Sequence, residues 1–269
     1  MNSGNAVTDH WSLSVLLHQN IEDMETRVNF MGAEETPAEI SVTETLKIDK
    51  EQFPKGNDIL DIHTHHTAPQ PRGVISLRIG GENTLPEIEE GQAYSAGIHP
   101  WDTVQEPTGQ DWEHLEAVAT LPQVVAIGEA GVDLNLAGVP MFRQLQVFKR
   151  HIELSERLGK PLVIHNVKGA DIVVGLRKDL KPKQNWAVHG FRGKPQVAQM
   201  LIRAGGCYLS FGESFNTETL KDMPEDRILA ETDESELDIE EVIARLSAAA
   251  GKDLKPVIAA NTAAFLKRQ

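Results

Sequence analysis

The sequence predicts a (β/α)8 barrel, the closed α/β architecture in which eight parallel strands alternate with helices. Two observations predict it. Short apolar runs recur eight times after residue 57, separated by segments of helical periodicity, over about 210 residues, the compact end of the range for such barrels. One run after another then ends on a histidine or a carboxylate, and in a parallel barrel all C-terminal strand ends meet at one face. The other reading is an open doubly wound sheet. Its nucleotide-binding form has no support, because no G-x-G-x-x-G or G-x-x-x-x-G-K-[ST] motif follows any strand.

Composition sets the outer bounds. The chain has 269 residues, of which 40% are hydrophobic and 25% charged, as expected of one large globular domain. The net charge of −14 argues against loose binding of nucleic acid through the general surface. It leaves room for a nuclease, in which metal ions and a local basic rim hold a phosphate. Cys207 is the single cysteine, so no internal disulfide framework forms, which fits a cytoplasmic setting. The N-terminus lacks the basic start and apolar run of a signal peptide, and no segment is long enough to span a membrane. Leu13 to Leu17 comes nearest, but it is short and broken by serine.

Residues 1–56 read as an extension with no assigned role, and 57–269 as the barrel domain. The extension holds ten Asp/Glu against four Lys/Arg, with scattered apolar residues. Trp11 to Leu17 has the pattern of an amphipathic helical turn, Met31 to Pro37 that of a linker, and Ser41 to Ile48 the alternation of a short strand.

From Asp58 the alternation is regular. The expected strands are Ile59 to Ile62, Val74 to Ile79, Tyr94 to Ile98, Val124 to Ile127, Pro161 to Ile164, Trp186 to Val188, Cys207 to Phe211 and Ile228 to Ala230. Most are rich in β-branched residues, as strands buried on both faces are. The clearest helix is Met141 to Leu158, with an apolar stripe of Phe142, Leu145, Phe148, Ile152 and Leu158, then Gly159 as a stop and Pro161 beyond. Others are expected around Trp112 to Ala119, Ala170 to Leu180, Lys194 to Ala204, Ile239 to Ala250 and Lys255 to Lys267, with a weak pattern over Glu82 to Glu90 interrupted by Pro86.

The strand ends carry the chemistry. The first leads to His63 and His65, two residues apart, so their side chains share one side of an extended chain. The third ends at His99, the fourth at Glu129, the fifth at His165, the sixth at His189 and the eighth at Glu231-Thr232-Asp233. Any one has a bland explanation as a histidine satisfied by a nearby loop. Six strand ends together point to a metal site. Imidazole mixed with carboxylate suits Zn²⁺, Mn²⁺ or Fe²⁺, and Mg²⁺ where carboxylates dominate. There are more ligands than one ion needs, so a two-metal centre is expected, activating a water for hydrolysis. Ser210 and Cys207 read as structural, since no G-x-S-x-G elbow is present. His66, His114 and His151 read as structural or surface residues, and Glu231 as an ion-pair partner inside the barrel.

These motifs, in this order, resemble the TatD-family metal-dependent hydrolases, or DNases, in a divergent branch. The resemblance runs from Asp58 to about Phe265. It rests on D-x-H-x-H at Asp61 to His65, G-x-H-P at Gly97 to Pro100, G-E-x-G-x-D at Gly128 to Asp133 and Pro161 to His165. It continues through His189-Gly190-Phe191-Arg192-Gly193, Tyr208 to Gly212 and Glu231-Thr232-Asp233. The resemblance implies that His63, His65, Glu129 and Asp233 hold one divalent ion, with Glu129 bridging to a second held by His165 and His189. It implies that Asp233 orients or deprotonates the attacking water, that His99 faces the substrate phosphate, and that the substrate is DNA, cleaved at phosphodiester bonds near its ends with Mg²⁺, Mn²⁺ or Zn²⁺. This chain departs from the family at substrate-facing positions: Leu134-Asn135 after Asp133, Asn166-Val167 after His165, and Glu234-Ser235 after Asp233. Lys168, Arg192 and Lys194 are cations able to restore phosphate contacts, against a bland reading as surface charge at helix starts. The alternative reading is a metal hydrolase of another bond, such as an aminoacyl ester, a lactone or an amide.

Overall fold

The structure, a computed structural model, describes residues 59–81 and 83–267. The expectations placed on residues 1–56 lie outside the described residues. So does Asp58.

Eight parallel strands close into a barrel in sequence order. They are β1 (Asp61–Thr64), β2 (Gly73–Arg78), β3 (Ala93–Gly97), β4 (Val124–Asp133), β5 (Leu162–Val167), β6 (Trp186–Val188), β7 (Cys207–Phe211) and β8 (Ile228–Ala230). The helices are α1 (Gly109–Thr120), α2 (Met141–Leu158), α3 (Ala170–Leu180), α4 (Pro195–Arg203), α5 (Thr217–Asp222), α6 (Ile239–Ala250) and α7 (Lys255–Phe265), with short 3₁₀ turns at Pro100–Thr103 and Glu225–Arg227. Among the described residues no helix is long and apolar enough to cross a membrane.

The helix boundaries follow from local chemistry. α1 starts with a capping box, Thr108 and Asp111 each accepting the other's backbone N–H. α2 and α6 stop at Gly159 and Gly251, whose φ of 67° and 72° are left-handed, a conformation glycine adopts without penalty. The weak helix over Glu82 to Glu90 does not form among the described residues, and the chain passes from β2 to β3 without one. Phe142 also departs from expectation. It belongs to the periodic stripe of α2, yet it is 60% exposed, on the helix's first turn.

Period-two alternation sorts most strands, β1 and β4 being interrupted by register slips. Ile62, Val74, Ala93, Val125, Val163, Ala187, Tyr208 and Leu229, one from each strand, form an inner cluster, joined by Phe265 and Leu266. Their neighbours, such as Ile75, Tyr94, Ile164, Trp186 and Leu209, join the larger cluster beneath the helices. Two residues further along, the inner series turns polar, with Ser95 after Ala93, His165 after Val163, His189 after Ala187, Ser210 after Tyr208 and Glu231 after Leu229. Apolar burial therefore fills one layer of the barrel and leaves the next layer, toward the strand ends, for chemistry.

Candidate metal centre

Two backbone irregularities aim the central side chains. β1 runs to Thr64, two residues beyond its expected end, and its pairing with β2 slips by one residue between Asp61 and Thr64. β4 runs to Asp133 and slips against β5 between Ile127 and Ala130, the stretch that contains Glu129. Such bulges re-aim a side chain at the cost of a ladder bond. Gly128 makes this one feasible: its φ is 122°, and a Cβ there would stand 2.3 Å from Val163 O.

Asp233 arrives from the far end of the domain. Its N–H donates to His63 O and its O accepts from His65 N–H, both at 3.0 Å, so β1 and the end of β8 are locked together. Its φ of 56° is a left-handed conformation, a strain that clusters at functional sites. Behind this junction Thr232 donates to the buried Asp61 carboxyl through its hydroxyl (2.6 Å) and N–H (3.1 Å). Burial raises the pKa of Asp61 to about 7, against those hydrogen bonds.

Glu129 sits at the centre, 3% exposed, and five imidazoles face it. On one side, Oε2 stands 3.4 Å from both His63 Nε2 and His65 Nε2. Those two nitrogens are 3.2 Å apart, and Asp233 Oδ1 lies 3.8 and 3.6 Å from them. Ligands about 2.0–2.1 Å from one ion stand about 3.3 Å from each other at tetrahedral angles. The spacing of these donors therefore fits a metal shell, and Oε2 has no hydrogen-bond partner. On the other side, Oε1 lies 2.6 Å from His165 Nδ1, 2.6 Å from His189 Nε2 and 3.1 Å from His99 Nε2. That half is spaced as a hydrogen-bonded cluster, and the triads that draw on it, His99 with Glu129 and His165 and His63 with Glu129 and His189, have donors that suit a divalent ion.

The charges follow from this crowding. Burial would raise the Glu129 carboxyl, but His189 and His63 outweigh it and hold its pKa well below the carboxylate range. Burial disfavours the His189 cation, yet Glu129 and Glu231 hold its pKa well above the usual value. For His63 burial prevails, helped by His189, and the pKa is lowered. His65 is raised, because Glu129 and Asp233 outweigh its burial.

The tautomer of His99 is set locally. Trp101 N–H donates to His99 Nδ1 (3.1 Å), so in the neutral ring the proton sits on Nε2, the nitrogen that faces Glu129. Burial lowers the pKa of His99 and keeps that form. His99 is thus a hydrogen-bond donor at the centre.

All six expected metal ligands and His99 converge. Lys168 and Arg192 do not join them. Both are exposed, Lys168 just beyond β5 and Arg192 beyond β6. Arg192 borders a cavity of about 230 Å³ that is also lined by Glu213, Glu231, Asp233 and Glu234. A groove of about 390 Å³ lined by Lys178, Gln196, Met200 and Arg203 holds none of the ligand residues.

Three further residues support the site: Glu231, expected as an ion-pair partner inside the barrel and found as one, His151, expected as a structural or surface residue and found buried, and Asp133, which was given no role. Glu231 accepts from Gly190 N–H and stands 3.5 Å from His189 Nδ1, placed to orient that ring. His151, fully buried, donates to Val147 O (2.7 Å) and accepts from Ile98 N–H (2.9 Å), fixing the backbone just before His99. Its pKa is lowered by burial to about 4. Asp133 accepts the indole N–H of Trp101 (2.9 Å) beside His165. The adjacent motif positions of Glu231 and Asp133 were the available signal. For His151 there was none.

Comparison with known proteins identifies the family and the fold. Residues 82–266 match the family described as TatD related DNase. The match begins after the D-x-H-x-H motif, so closure of β1 between β2 and β8 is what brings His63 and His65 to the centre. The chain is 32% identical over 145 residues to the uncharacterized metal-dependent hydrolase YabD of Bacillus subtilis, covering 51% of this chain and 56% of that protein. It is 32% identical over 148 residues to the uncharacterized metal-dependent hydrolase YcfH of Escherichia coli K12, covering 52% and 54%. The chain thus spans about half the length of these relatives. It is 30% identical over 182 residues to the 3'-5' ssDNA/RNA exonuclease TatD of Erwinia billingiae, covering 60% and 68%. In fold it is similar to the crystal structure of YjjV, a TatD homologue from Escherichia coli K12, with a TM-score of 0.65 at 18% identity over 78% of this chain and 97% of that one.

Proposed function

The chain belongs to the TatD related DNase family, and from that premise we propose that it is a divalent-metal-dependent hydrolase cleaving phosphodiester bonds at DNA ends. The observation that carries the reading is the convergence of His63, His65, Glu129 and Asp233 at 3.2–3.8 Å spacing around a carboxylate oxygen with no hydrogen-bond partner. These four would hold one ion, and Glu129, His165 and His189 a second, from among Mg²⁺, Mn²⁺ and Zn²⁺. A bound divalent ion supplies a polarised phosphoryl oxygen and a water of lowered pKa.

The chain's own groups do the rest. The Asp233 side chain, 28% exposed, is the ligand carboxylate that reaches solvent, so it is placed to orient the water and take its proton. His99, whose Nε2–H faces Glu129 Oε1 in the metal-free structure, would present it to a phosphate oxygen once that carboxylate oxygen is taken up by an ion. Glu231 keeps His189 oriented. Lys168 and Arg192, at the rim, supply charge for the phosphates next to the cleaved one.

A second reading has one specific observation behind it. The cavity beside Asp233 is lined by four carboxylates against Arg192 alone, an environment that suits a less anionic ester or amide. The deciding experiment incubates 5'-labelled and 3'-labelled single-stranded DNA with Mg²⁺, Mn²⁺ or Zn²⁺, alongside Glu129→Ala. Metal-dependent shortening from one end, absent in the variant, supports the nuclease reading. A folded, metal-binding protein that leaves DNA intact but cleaves a small ester or amide would replace it with the second.

A further inference from the structure

Seven large apolar side chains are exposed among the described residues, and five of them are Trp101, Val104, Leu134, Met141 and Phe142. All five lie on the connections after β3 and β4 or on the first turn of α2, at the strand-end face. Two contacts tie these connections together. Arg143 donates to Val104 O, and Trp101 Nε1–H donates to Asp133, the neighbour of Leu134.

Trp101 is the member next to the metal centre. Its ring centroid lies 4.9 Å from that of His99 and 6.0 Å from that of His165. The indole is held in place, because the Asp133 carboxylate that accepts its N–H at 2.9 Å is itself fixed. Asn135 N–H donates to the other oxygen at 2.9 Å, and Gln144 pins the Asp133 backbone at 2.7 and 3.1 Å. Arg78 stands over the ring at 5.9 Å, forked onto Asp102 at 3.0 and 2.7 Å. Trp101 remains 49% exposed. A rigid flat ring therefore borders the centre on this side.

Charge selects the same side for a polyanion. The connection after β8 carries Asp233, Glu234, Glu236 and Asp238. The connection that bears Trp101 carries Asp102, neutralised by Arg78, and Glu106, and residues 134–140 after β4 carry no charged side chain. A chain of phosphates is repelled more strongly from the first side than from the second.

We propose that Trp101 is a stacking platform for the unpaired base at the end of a single-stranded nucleic acid whose phosphodiester bond lies at the metal centre. The inference rests on the nuclease reading above. Every base has a π-face, so such a platform discriminates weakly among bases and strongly against an end that lacks one.

The test uses the full chain loaded with Mn²⁺ and two single-stranded oligonucleotides, one ordinary and one abasic at its last two positions. Base stacking on an aromatic side chain strengthens binding by about five- to a hundredfold per base, so the ordinary end should be cleaved that much more efficiently at low substrate. Trp101→Ala should bring the ratio close to one, while Trp101→Phe, which keeps a ring but loses the bond to Asp133, should retain most of it. Metal-induced thermal stabilisation in both variants verifies that the centre is intact. An unchanged ratio in Trp101→Ala, or Phe as defective as Ala, overturns the platform and leaves the nuclease reading standing. No cleavage of either oligonucleotide by metal-loaded wild type overturns both.

Discussion

The two ends of the barrel treat buried charge in opposite ways. Where the strands begin, Arg177 donates to Gly205 O (2.6 Å) and Gln184 O (2.7 Å) and lies over the Trp186 ring at 4.8 Å. Lys160 donates to Ala119 O and to Leu121 O, carbonyls at the end of α1. These cations meet carbonyls that helix and strand ends leave spare. Where the strands finish, imidazoles and carboxylates crowd together, and Glu129 Oε2, His63 Nδ1, His165 Nε2, His189 Nδ1 and Glu231 Oε2 form a cluster of atoms with no hydrogen-bond partner, whereas near the strand starts Gln123 Oε1 and Trp186 Nε1 are unpartnered. A buried polar atom left so costs about 1–3 kcal/mol. One end is arranged to stabilise the fold. The other is arranged to bind something, and stability is given up there.

The sharpest way to break this contrast is Glu129→Gln. It should lower hydrolysis by about 10³-fold or more and abolish the rise in melting temperature on adding Mn²⁺. Retained activity with retained metal stabilisation would move the centre elsewhere. Glu231→Gln keeps an acceptor for Gly190 N–H but removes the carboxylate that faces His189. Metal titration should show a loss of affinity of about 10–100-fold, with little change in the metal-free melting temperature.

The third effect is one of pH. The raised pKa of His189 stabilises the metal-free fold below its unfolded value of 6.5 and is lost as pH rises through the folded value. The depressed carboxyl of Glu129 stabilises above its unfolded value of 4.5 and is lost only in acid. A metal ion must displace the His189 proton. Affinity should therefore rise with pH, by about tenfold per unit for each proton displaced. The gap in melting temperature between Mn²⁺-loaded and metal-free protein should widen from about pH 6 to 8. Lys160, whose pKa burial lowers to about 8, titrates far from the centre and cancels in that gap. A constant gap would mean that the ligands are already neutral.

The smallest effect on chemistry belongs to the other end. Arg177→Met leaves two carbonyls without a donor and should lower the melting temperature by about 5–10 °C. The rate per folded molecule should stay within about twofold. A large change in rate would mean that the two ends are not independent.

Much of this was legible in the residues. Met141–Leu158 could be bounded to the residue because helical periodicity and a glycine stop are local signals. The ligand residues could be found because each follows an apolar run. The end of β1 could not. Asp61 and His63 are polar, and only partners across the barrel, Thr232 and Glu129, make their burial tolerable inside a strand. Phe142 was misread for a related reason. Periodicity records which face a residue shares, not whether anything packs against that face.

The sequence by itself determined the eight-fold alternation of strands and helices and the residue types at the strand ends. Both depend on the order of apolar and polar side chains within about ten residues. Only the tertiary structure decided which oxygen of Glu129 faces which histidines, that His99 carries its proton on Nε2, that His151 holds Ile98 and that Trp101 stands fixed beside His165. Apart from the local His99–Trp101 contact, these depend on side chains tens of residues apart meeting in the barrel interior. Closure of the sheet sets their distances, and no local pattern encodes it.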